Sequence, residues 1–144
     1  MVEQDTIRLL RESDAGVKMG VSSIEDVLEH VKSESLKRFL IECKDEHYKL
    51  DTEIQMLLAK YKDDGKNPNP IAKGMSWMKT NVKLSMEPSD SMIADLMTDG
   101  CNMGVKSLNK YLNQYEAAEE KTKDIAKRLI NLEEKLAVDI RKFL

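Results

Sequence analysis

Between Glu34 and Tyr61 the inward positions fall at Leu36, Leu40, Cys43, His47, Leu50, Ile54, Leu57 and Tyr61, in alternating steps of four and three with charged residues filling the gaps. Steps of that size keep one row of side chains on a single helical face, so the stretch predicts a long helix packed along its length. The preceding stretch places Val17, Gly20, Ile24, Val27 and Val31 at the same spacing and predicts a first helix from about Glu3 to Val31, turned by "KSES". After Tyr61, "KDDGKNPNP" brings a glycine and two prolines, which break a helix. A shorter helix is expected from about Ile71 to Ser85, with Ile71, Met75, Met78 and Val82 as its stripe. "EPSD" then interrupts the chain and offers Ser89 and Asp90 as caps for a helix from about Ser89 to near Glu116. A last helix, from about Glu120 to Phe143, carries Ile125, Leu129, Leu132, Leu136 and Phe143 inward. No segment alternates strictly, and the chain reads as all-α.

The opening helices of the two halves share a phrase. "GVKMGVSSIEDVL" begins at Gly16 and "GCNMGVKSLNKYL" at Gly100, an offset of 84, with Gly, Met, Gly, Val, Ser and Leu in the same places. The seam of Leu36, Leu40, Cys43 and His47 has the spacing of Ile125, Leu129, Leu132 and Leu136, at an offset of 89. Two related helix hairpins follow, one at about 3–62 and one at about 89–144, with the extra residues expected in the second hairpin's turn. They are joined by a crossover at about 63–88 that is long enough to run the length of a bundle. The predicted architecture is a single domain over 1–144: a four-helix bundle of two repeated hairpins with a short fifth helix in the crossover.

Each glycine in a helix interior costs about 1 kcal/mol relative to alanine, so four in one repeated phrase need compensation. Close helix packing is the plainest source, and Gly16, Gly20, Gly100 and Gly104 are assigned to it. The other reading is that the missing side chains leave room for a ligand between the two helices that carry them. Asp14, Lys18, Glu25 and Asp26 exclude the membrane dimer that Gly-x-x-x-Gly would suggest in an apolar segment.

Composition narrows the function classes. With 23 basic and 26 acidic side chains and a net charge of -3, the chain has no basic field for nucleic acid. No apolar run approaches the length of a membrane span, and "MVEQDTIRLL" lacks the apolar stretch of a signal segment. Two cysteines, Cys43 and Cys101, form no disulfide framework. These features lead to the expectation of a cytoplasmic chain with reduced thiols.

With its duplicated hairpins, its crossover and its glycine-bearing openings, and with phrases such as "MSWMKTNVKL" and "LMTDGCNMGVKSLNKYLNQY", the chain resembles a ferritin-like four-helix-bundle family of uncharacterised bacterial proteins, of the domain-of-unknown-function type. Catalytic ferritin-like bundles hold two metal ions with one Glu on each of two helices and Glu-x-x-His on the other two. Here Lys44 stands three residues before His47 and Val27 three before His30, so that motif is missing. The resemblance implies the fold and does not carry the activity across.

The remaining chemistry is sparse. His47 on the seam, one turn after Cys43, reads as a hydrogen-bonded core histidine. The alternative is a divergent iron, manganese or zinc site using His47 with Glu46 and acids such as Asp14 or Asp99. Met75, Trp77 and Met78 form a candidate interaction patch in the crossover. The expected function is that of a non-enzymatic structural or protein-interaction module without a cofactor, whose partner is a protein, including a second copy of this chain.

Overall fold

The computed structural model describes residues 2–66 and 88–144. Among them four α-helices pack against one another: α1 (Val2–Leu28), α2 (Glu34–Lys60), α3 (Asp90–Gln114) and α4 (Glu120–Asp139). A 3-10 turn, Ile140–Phe143, closes the chain. The expected crossover helix, Ile71 to Ser85, lies outside the described residues, as do Met75, Trp77 and Met78.

Local chemistry fixes the helix ends. Ser33 caps α2 by accepting from the amide of Leu36, and Ser89 caps α3 by accepting from that of Met92, which satisfies one otherwise orphaned amide in each case. The first helix stops at Leu28, three residues short of Val31, because the chain must turn early enough for Ser33 to take the capping position. At the far end of α2, Lys62 adopts a positive φ of 55° while the amides of Lys62 and Asp63 return to the carbonyls of Ala59 and Leu58. That is the Schellman arrangement, which satisfies carbonyls the helix leaves open.

The two hairpins hold each other's turns. Asp90, in the first turn of α3, accepts from the amides of Lys32 and Ser33 in the α1–α2 turn, at 2.8 and 2.9 Å. Asp5 and Thr6, in the first turn of α1, accept from the amides of Ala117 and Glu119 in the α3–α4 turn, at 3.1 and 2.9 Å. Thr6 and Asp90 are 84 positions apart, the same offset as the glycine phrase. These contacts set α1 antiparallel to α3. They also place Asp90 at one end of the bundle, whereas Lys66 lies beside Glu12 and Asp14 in the first half of α1. Residues 66 and 90 therefore sit toward opposite ends.

The hairpin turns are of equal length, 29–33 and 115–119. The growth in offset from 84 to 89 is absorbed in the helices: α3 runs two residues further past Gly100 than α1 does past Gly16, and α4 starts three residues further ahead of Ile125 than α2 does ahead of Leu36. The turn predicted to hold the extra residues does not hold them.

The interior is not one apolar column. One cluster gathers Ile24, Val27, Leu40, Ile93, Met97 and Leu136 with their neighbours; a second gathers Leu10, Val17, Leu50, Ile54, Leu108 and Leu129. On α2 the member between Cys43 of the first cluster and Leu50 of the second is His47, and on α4 Glu133 stands between Leu129 and Leu136. Leu58 is buried where the seam predicted Leu57, which is only partly covered, because the last turn of α2 rotates toward Leu10 and Ile130.

Candidate ligand cleft

The functional geometry grows from one buried side chain. His47 is 1% exposed. Its Nδ1 lies 2.7 Å from the Cys43 carbonyl one turn earlier, and its Nε2 lies 2.7 Å from Oε1 of Glu133 on α4. Both partners are acceptors, so only the doubly protonated ring donates to both. Burial pushes the imidazole down, but the hydrogen bond and charge of Glu133, with the Cys43 carbonyl, outweigh it and hold the ring above its ordinary value. With the ring doubly protonated, the pair is an imidazolium–carboxylate bridge at the middle of the bundle.

Gly20 makes room for that bridge. A Cβ at this position would stand 2.5 Å from Nε2 of His47 and 3.3 Å from Oε1 of Glu133. One turn earlier, a Cβ at Gly16 would meet Leu129 at 3.3 Å. The glycines of α1 thus face tightly filled space. Gly104 on α3 differs: among the described residues a Cβ there would come nearest to Oε2 of Glu133, at 4.0 Å.

The space that α3 leaves open is a cleft of about 400 Å³ between α1 and α3. All four repeat glycines line it, and apolar side chains such as Ile24, Met97, Leu108 and Leu129 make up most of the rest. The His47–Glu133 bridge forms part of its floor. At one end Lys66 Nζ holds Glu12 Oε1 at 2.6 Å, beside Tyr111. Its size and its mostly apolar lining with a few polar groups are those of small-molecule sites. Along α1 it reaches from Glu12 to Ile24, about 18 Å of helix at 1.5 Å per residue.

The thiols are inert in this setting. Burial, aided by the negative charge of Glu133, pushes the Cys43 thiol up to about 12. The Cys101 thiol is raised as well, first by burial and then by the charge and hydrogen bond of Glu133. Both stay protonated, and a thiol is a poor nucleophile and a poor ligand.

The other residues singled out from the sequence do not converge. Asp14 is fully buried, but Lys18 Nζ, Gln55 Nε2 and the Lys66 amide occupy it at 2.8, 2.8 and 2.9 Å. Its role is to fasten the end of α2 to α1. Gly65 is required for this fastening, since its φ is +80° and a Cβ would strike the Asp14 carboxylate. Glu46 is exposed and pairs with Lys49, and Asp99 is exposed on α3. Among the described residues no three His, Cys, Asp or Glu side chains come together to hold a metal. The interior His and Glu are spent on each other, so the residues present do not fit the di-metal centre of catalytic ferritin-like bundles.

Glu133 escaped the sequence reading. Its signal was an acid four residues after Leu129 and three before Leu136, on a face that otherwise wants apolar groups; Leu132, taken as inward, is only partly buried. Cys101 is 2% exposed, on the cleft wall. No helix among the described residues is long and apolar enough to cross a membrane. No family model, curated protein or solved structure matches the chain.

Proposed function

We propose that this chain is a non-enzymatic binding module: a ferritin-like bundle, built without a di-metal centre, that takes an uncharged apolar small molecule between α1 and α3. The observation that carries this reading is the wall at Gly104, where among the described residues the repeated glycine faces about 400 Å³ of cleft and no neighbour nearer than Glu133. Antiparallel hairpins with residues 66 and 90 toward opposite ends support the ferritin-like topology. Among the described residues, protonated thiols and a histidine with both nitrogens engaged take the cysteines and the imidazole of the cleft wall out of nucleophilic or basic use, which supports a role in binding over catalysis.

Among the described residues, the charges lining the cleft are closed in pairs, His47 with Glu133 and Lys66 with Glu12. A net charge on the ligand would enter a low-dielectric wall without a free counter-ion, at high cost. Titration with the neutral fluorophore Nile red tests the proposal. The unaltered chain should bind with a blue-shifted emission, and Gly104→Leu, which fills the cleft from the α3 side, should weaken binding at least about tenfold with a melting temperature no lower than that of the unaltered chain. Equal binding by both proteins, or none by the unaltered one, would overturn the reading.

A further inference from the structure

The cleft is apolar along most of its length but carries one acceptor with capacity to spare. Glu133 receives His47 on Oε1, and its Oε2 faces the open side of α3, 4.0 Å from where a Gly104 Cβ would stand. Its hydrogen-bond partners among the described residues are His47 and the Cys101 thiol. A carboxylate offers about four acceptor sites, so further sites remain on the side that meets the cleft. Partial burial makes such a site worth filling, because the Glu133 side chain is only 12% exposed and a ligand that covers it must replace the remaining hydration with a donor.

We infer that the ligand is a neutral amphiphile, an apolar chain ending in one uncharged hydrogen-bond donor such as a hydroxyl or an amide N–H, and that Glu133 is the residue that selects it. This rests on the reading of the cleft as a small-molecule site. The donor must be uncharged on both sides of the argument. A cationic head would approach a carboxylate already neutralised by the His47 imidazolium, and would face that imidazolium without a counter-ion of its own. An anionic head would face Glu133 itself. The position of Glu133 also sets the direction of the chain. It lies at the level of Gly20, so about 12 Å of α1 separates it from Glu12, against about 6 Å to Ile24. The longer arm passes Gly16, Leu108 and Leu129, an apolar stretch of the wall, and accommodates the tail.

Displacement of bound Nile red by four probes of equal chain length separates these claims: decanol, methyl decyl ether, decylammonium and decanoate. Decanol and the ether differ in the ability to donate, and a donor to a carboxylate is worth at least about tenfold in affinity. Decanol should displace the dye at about one tenth the concentration needed for the ether, with the two ions weaker than decanol. An ether as effective as decanol, or an ion more effective than either, overturns the inference and leaves the cleft reading standing; failure of Nile red to bind at all overturns the cleft reading. A second arm replaces the bridge by two leucines, His47→Leu with Glu133→Leu, which removes the acceptor without leaving a charge buried. In that variant the dye should still bind and the decanol-to-ether ratio should fall to about one. A ratio that persists assigns the selection to another residue.

Discussion

Two related thirteen-residue phrases, alike at six positions, occupy α1 and α3 in different surroundings. On α1, Gly16 and Gly20 lie against Leu129 and the His47–Glu133 bridge, where an added methyl has no room. On α3, Gly104 looks across a cleft. Other corresponding positions diverge in the same way. Asp14, buried and holding the end of α2, matches Thr98, whose hydroxyl merely returns to the Ala94 carbonyl of its own helix. His47 matches Leu136 on the seam. The comparison shows that a repeated sequence yields a repeated helix, while the partners across the interior decide what its glycines do. One buried ion pair uses up the space behind α1 and leaves the space behind α3 open.

The largest effect should come from breaking the bridge on one side. His47→Leu gives the first hairpin the residue of the second but leaves Glu133 without its cation, and should cost about 3 kcal/mol in urea unfolding. Adding Glu133→Leu should restore most of that loss, since an apolar pair of similar volume replaces a buried ion pair at little net cost. A double variant no more stable than the single one would refute the pairing.

Next in size is Gly20→Ala, which should cost about 2–3 kcal/mol by displacing the imidazole from Glu133. The pH dependence of stability sharpens the same point. The folded-state pKa of His47 is raised, so its contribution is fully present below the unfolded value of 6.5 and is lost as pH rises through the folded value. Within that window the unfolding free energy should fall by about 1.4 kcal/mol per pH unit, and the double leucine variant should lack this slope. Smallest, and opposite in sign, is Gly104→Ala: among the described residues its Cβ would meet Glu133 at an ordinary contact distance of 4.0 Å, so it should gain about 1 kcal/mol from helix propensity. If the two alanine substitutions had the same sign and size, the contrast between α1 and α3 would fail.

Much of the fold was legible because burial on a helix leaves a periodic trace. Leu36, Leu40, Cys43, His47, Leu50 and Ile54 are all buried as their spacing predicts, and "EPSD" contains both the cap, Ser89, and the clasp, Asp90. The site was legible only in part. The repeated glycines marked its walls, but a glycine shows where a side chain is missing and not whether another helix fills the gap. Glu133 was hidden because an acid on an apolar stripe has meaning only once its partner is known, and His47 lies 86 positions away.

The amino-acid order by itself determined the helices, their caps and the relation between the two hairpins, since these depend on residues within a few turns of one another. That Gly16 and Gly20 lie against close neighbours, and that His47 meets Glu133, were decided only when α4 came to lie across α1 and α2. Those outcomes are set by distances between side chains far apart in the chain, and local propensity carries no record of them.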